Sequence, residues 1–349
     1  MIKLKPQLLA RVHQGGVQGL RDSLQNAVML EHATIPVYLY ALYSIRPESL
    51  QPGQNLDVYT LLRSVVVEEM THMSLACNIL NAVGGTPVID RPGFIPTYPG
   101  PLPGAVESDL TVGLHPFSKQ LVHDEFMVIE EPEDPHQYPL RATALAAAPA
   151  EPTTIGQFYD AIRKRIVELG DDIFTGNPEH QVSGAPYLPE ITPVTNVETA
   201  VAAIDLIVEQ GEGTATSPLD GEGELAHYYK FAEIWYGRRL IAVPEAPGYA
   251  YAGDRIPFDP AGVWPVVSNP HSALYPPGSA ARYGNDTFNY TYTSLLRSLH
   301  ATFNGRPDQL NAAIGLMESL KQQAISLMSV DLENGQKAGP TFEYQPVNP

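Results

Sequence analysis

Two segments of the chain put a carboxylate and an imidazole where a helix would be expected to be apolar. Glu69–Met70–Thr71–His72 and Glu224–Leu225–Ala226–His227 both read Glu-x-x-His. At about 100° per residue, Glu69 and His72 fall on the stripe of Val58, Leu61, Val65, Ala76, Ile79 and Val83, with Glu68 displaced to its side. His227 aligns with Phe231 and Ile234, and Glu224 sits one turn back. A charge in the middle of an apolar face is costly unless it is paired or holds a metal. The motif by itself is cheap, since roughly one match arises by chance in a chain of this size. A third copy, Glu133–Asp134–Pro135–His136, has a proline and an acidic setting that do not suit a helix. Phase is what distinguishes the other two, for which the plainer reading is a buried Glu–His hydrogen bond within each helix.

The 33 prolines divide the chain. Between them run helical segments at about 18–45, 56–83, 153–169, 197–212 and 222–240, followed by 287–303 and 307–328. These predict a single mainly α domain over 1–349. Its four-helix bundle would be built from 18–45, 56–83, either 153–169 or 197–212, and 222–240. The stretches 84–150 and 242–284 read as long ordered loop insertions. Their Phe94, Tyr98, Phe126 and Trp264 could form a lid and an apolar pocket, although core packing is the simpler role for any one of them.

A bundle with two Glu-x-x-His helices calls for single carboxylates on two further helices. Glu31 lies on the stripe of Leu24, Ala27, Ile35, Tyr38 and Leu42, with Pro36 just beyond it and His32 pointing away. In 197–212, Glu212 lies about 80° from Ile204 and Glu209 about 140°, so phase favours Glu212. The candidate metal set is therefore Glu31, Glu69, His72, Glu212, Glu224 and His227. Four carboxylates and two imidazoles suit two divalent ions, iron ahead of manganese. Cys77 is the only cysteine, which rules out a thiolate-rich site.

At these residues the sequence resembles a known family. Leu30–Glu31–His32–Ala33–Thr34–Ile35–Pro36, Val67–Glu68–Glu69–Met70–Thr71–His72, Glu209–Gln210–Gly211–Glu212–Gly213 and Glu224–Leu225–Ala226–His227–Tyr228–Tyr229 look like the ferritin-like domain of iminophenyl-pyruvate dimer synthases of violacein and indolocarbazole biosynthesis. Gly339–Pro340–Thr341–Phe342–Glu343–Tyr344 looks like the end of that domain. The resemblance implies a ferritin-like four-helix bundle. It also implies kinship with longer enzymes that oxidatively couple two imines derived from aromatic 2-oxo acids. Gln157 stands where an acid is expected in relatives.

The expected function is that of a metal-dependent, diiron oxidoreductase using dioxygen or peroxide on a small, aromatic or amino-acid-derived substrate. A non-catalytic scaffold or partner subunit and an iron-handling ferroxidase are the alternatives. A net charge of -18 argues against nucleic acid and anionic membrane surfaces as partners. No apolar run approaches the roughly 18 residues of a membrane span, so the cytoplasm is the expected location. The apolar faces of the two C-terminal helices could cap the bundle or form a homo-oligomer.

Overall fold

The computed structural model describes residues 6–104, 110–132, 135–140, 154–183, 188–214, 216–244 and 247–345. Glu133 and Asp134 of the third motif copy, and the predicted helix start at residue 153, lie outside the described residues.

Helix α1 (Pro6–His13) ends at Gly15 and Gly16, both with positive φ (85° and 61°), where the chain turns into α2 (Gly16–Ser44). Helix α3 (Leu56–Ala82) runs antiparallel to α2: the Arg21 side chain donates to the Val83 carbonyl, and the Thr34 hydroxyl donates to Glu69 further along. Two short helices, α4 (Lys119–Leu121) and α5 (Met127–Ile129), flank a π-helical turn at Val122–Phe126. Helix α6 (Ile155–Leu169) starts on the Thr154 cap, and α7 (Val197–Glu212) on an Asn196–Thr199 capping box. These two helices are antiparallel, tied by Arg163–Asp205 and by Gly156 N–H to Glu212. α2 packs on α3 and α6, α3 also on α7, and α8 (His227–Tyr236) lies against α3 and α7. Both of the helices that the sequence left as alternatives thus belong to the bundle.

The segment expected as a helix over 222–240 is shorter. Asp220 accepts the backbone N–H of Glu222 and of Glu224, Leu219 bridges Leu225, and the helix begins only at His227. It stops at Gly237 (φ 69°), and β1 (Arg238–Ala242) pairs antiparallel with β2 (Tyr249–Arg255). α9 (Ala280–Thr302) and α10 (Leu310–Met328) pack on each other, and α10 reaches α2, so their apolar faces cap the bundle. The end of the chain straps α9 in place. Asn289 donates to Thr341, and Phe342 packs between Phe288 and Tyr292. Among the described residues, no helix is long and apolar enough to cross a membrane.

The aromatics of the long insertions serve as packing. Phe94 lies on the His32 ring at 4.5 Å, and Tyr98 donates to the Ala33 carbonyl. Phe126 fills the core against Tyr38 and Phe231, and Arg46 stacks on Trp264. Glu125, on the π turn, is buried with the Gly113 N–H donating to it, and burial pushes its pKa up to about 7. A carboxyl raised in this way favours the folded state when protonated, a contribution lost as pH climbs from about 4.5 through 7. Glu125→Gln keeps the acceptor without the charge. It should raise stability at pH 8 by on the order of 3 kcal/mol, with the gain shrinking at pH 5, as read by urea denaturation.

Candidate metal centre

Three helices and one loop bring the site together. Glu31 comes from α2, Glu69 and His72 from α3, and His227 from the first turn of α8, all buried. Glu130, on the residue that follows α5, completes the cluster. His72 Nδ1 lies 3.6 Å from Glu31 Oε2 and 3.9 Å from Glu69 Oε1. His227 Nδ1 lies 3.0 Å from Glu69 Oε1 and 3.4 Å from Glu130 Oε2. The two rings are stacked with centroids 5.3 Å apart, and Glu69 touches both.

The outer ring nitrogens are fixed from behind. The Gln210 amide donates to Glu190, which turns its Oε1 toward His72 to accept from Nε2 at 2.9 Å. His227 Nε2 is 2.9 Å from Glu68, and Glu68 is held by Lys230 at 2.6 Å. Both imidazoles therefore carry a hydrogen on Nε2 and turn Nδ1 toward the carboxylates, as metal-ligating histidines do. The carboxylates are anchored as well: Tyr159 donates to Glu31 at 2.5 Å, Tyr38 to Glu130 at 2.5 Å, and Thr34 to Glu69 at 2.7 Å.

Crowded acids in a dry interior resist ionisation. Burial, then the neighbouring Glu130 and Glu31 charges, push Glu69 up to about 6 although His227 opposes them. Burial disfavours the charged forms of His72 and His227, yet the carboxylates beside them outweigh it and both are raised. Glu68 is held down at about 2, because His227 and Lys230 overcome its burial. Burial also raises the Tyr38 and Tyr159 phenols and the Cys77 thiol of α3, so all three stay protonated.

Of the six residues proposed from sequence, Glu31, Glu69, His72 and His227 meet in the cluster. Glu212 lines the same small cavity, with Gly156 N–H donating to its Oε1 at 2.9 Å. Gly156 leaves room for Glu212 in this position, since a Cβ at 156 would stand 2.6 Å from its Oε2. Glu209 instead faces Gly221. Glu224 is exposed on the loop before α8 and does not join the cluster, because Asp220 and the Gly221 and Gly223 turn keep it out of the helix. Glu130 stands outside the set expected from sequence, although Val122, Phe126 and Ile129, spaced i, i+4, i+7 just before it, carry a helical signal. α6 sends Tyr159 into the site, while Gln157 N–H is taken by the Thr154 cap.

The residues fit a metal. His227 Nδ1 is fully buried with neither carboxylate aligned on it as a hydrogen-bond partner, an orphan that a cation would satisfy. Glu69, His72 and His227 offer ligand atoms within 4.8 Å of one another. The cavity beside them is only about 30 Å³, lined by Leu30, Ile129, Ile155 and Ile207, and none of the loop aromatics reaches it.

A ferritin-like family model matches residues 24–236, more than half of the chain. The chain belongs to the ferritin-like family. This ferritin-like protein is 27% identical to dichlorochromopyrrolate synthase from Lentzea aerocolonigenes over 92% of its own length. It spans about a third (35%) of that curated relative. The crystal structure of a ferritin-like protein from Caulobacter vibrioides superposes with a TM-score of 0.60 at 25% identity, covering 93% of this chain and 97% of that one. The mainly helical bundle expected from sequence is the fold these matches share.

Proposed function

We propose that the ferritin-like bundle holds two metal ions, iron ahead of manganese, and works as an oxidoreductase on a small organic substrate with dioxygen or peroxide. The observation that carries this reading is the pair of imidazole Nδ1 atoms turned onto three buried carboxylates, each ring fixed through Nε2. Glu31, Glu69, His72, Glu130 and His227 would hold the ions, with Glu69 between the two histidines and Glu212 at the cavity rim as the sixth donor. When bound, the pair would supply the electrons for a two-electron reduction of dioxygen. Lys230 neutralises Glu68 and keeps the His227 ring in register, and the Tyr159 and Tyr38 hydroxyls keep Glu31 and Glu130 oriented. A likeness to a synthase supports a small-molecule substrate, aromatic or amino-acid-derived.

The tight cavity favours a second reading. At about 30 Å³ it has room for a water-sized molecule, so oxidant and iron could enter while an organic substrate stays out. That would suit a ferroxidase. Elemental analysis after anaerobic loading with ferrous iron should give about two irons per chain. Oxygenation then separates the readings. Ferric iron accumulating beyond the bound pair indicates iron handling, whereas turnover that stops at the pair and resumes only with an organic reductant indicates the oxidoreductase. Failure to retain iron or manganese under any loading would overturn the metal centre.

A further inference from the structure

Beside the α2–α3 pair, and sharing no lining residue with the cavity at the metal centre, a larger cavity of about 520 Å³ runs between these helices and α9 and α10. That volume is in the range of small-molecule sites and far above the roughly 10–15 Å³ that suffices for one water. On α10, Ile314 and Met317 belong to its apolar stripe and line this space, half-buried.

Its two ends differ in polarity. At one end Arg63 and Glu318 are exposed and Lys321 lies 5.8 Å over the Tyr59 ring, a net excess of one positive charge on a chain of -18. Further along, His32 lines the cavity, only 3% exposed. Its Nε2 is bonded to the Tyr292 hydroxyl at 2.8 Å, and its Nδ1 is buried with no hydrogen-bond partner among the described residues. In either tautomer Nδ1 is left as an unmet donor or acceptor. α2 and α3 are antiparallel, with residue 34 level with 69, so His32 stands near the level of residues 71 and 72. Arg63 is two and a half turns away from that level, about 13 Å along the helix. The walls between are mainly aliphatic and methionine, including Leu39, Val66 and Met70.

We infer that this cavity is a second ligand site, distinct from the metal centre. It takes an elongated amphiphilic carboxylate of the acyl type bearing a hydroxyl or carbonyl oxygen about 13 Å from its carboxylate. The carboxylate lies at Arg63 and Lys321, the chain fills the apolar middle, and the distal oxygen meets His32 Nδ1. The two cavities have no lining residue in common. The molecule bound here nonetheless touches residues adjacent to ligands of the metal cluster, His32 beside Glu31 and Met70 beside Glu69.

Calorimetry on the full chain with 12-hydroxydodecanoate, dodecanoate and dodecylammonium tests this. Both acids should bind, the ammonium at least about tenfold more weakly. The hydroxy acid should bind about fivefold more tightly than the plain acid, the worth of one hydrogen bond. Leu296→Trp fills the cavity and should abolish binding of both acids while leaving metal content unchanged. The surface pair Arg63→Glu and Lys321→Glu should reverse the charge preference, and His32→Phe should erase the hydroxyl preference but keep dodecanoate. The inference is overturned if neither acid binds, if binding survives both Leu296→Trp and the charge reversal, or if the hydroxyl preference persists in His32→Phe.

Discussion

Replacing Glu130 with alanine should cost at least about a hundredfold in metal affinity, whereas Glu224→Ala should leave it unchanged. Loss of a supporting group already costs 10- to 100-fold at metal sites, and Glu130 is proposed as a direct donor, its Oε2 lying 3.4 Å from His227 Nδ1. Glu224 is exposed on a turn held by Asp220. Elemental analysis of the two variants, loaded side by side with ferrous iron, reads the difference. Glu130→Gln distinguishes donation from packing, since it keeps the shape and the Tyr38 contact while removing the charge. Equal metal content in Glu130→Ala and Glu224→Ala would exclude Glu130 from the ligand set.

The pH profiles of metal-free and loaded protein should run in opposite directions between pH 5 and 8. Glu69 is raised to about 6, so its contribution is fully present below about 4.5 and is lost as pH rises through 6. His72 and His227 are raised too, and their contributions, complete below about 6.5, fade at higher pH. Glu68, held at about 2, works the other way, but only in a window below about 4.5. Between pH 5 and 8, metal-free protein should therefore lose about 1 kcal/mol from Glu69 alone, or about 2 °C in Tm for a chain of this length. Bound cations replace those protons, so affinity and the stabilisation by metal rise with pH. Thermal melts with and without ferrous or manganous ion check this. Parallel profiles would mean that the ions bind elsewhere.

The helical phase of α2 and α3 was readable in the sequence because these helices are long and uninterrupted apart from Pro36. Glu31, Glu69 and His72 stood out as charges on otherwise apolar stripes. Glu224 belongs to a chance-level motif that straddles a loop: Gly221, Gly223 and the acceptor Asp220 compete locally with a helical turn. Glu130 is hidden for a different reason. Its segment is short, and the π turn at Val122–Phe126 shifts the phase, so a fixed 100° step loses register before reaching it. Gln210, Lys230 and Tyr159 were invisible because their roles depend on tertiary neighbours that no local period encodes.

Cys77 gives the molecule a built-in clock. It is the only thiol, fully buried on α3 little more than a turn past His72, and its protonated state makes it inert while the bundle is closed. Reagents such as aromatic disulfides can reach it only when α3 separates from its neighbours. The rate at which that single sulfur is labelled thus counts openings of the bundle, one site at a time and in native buffer.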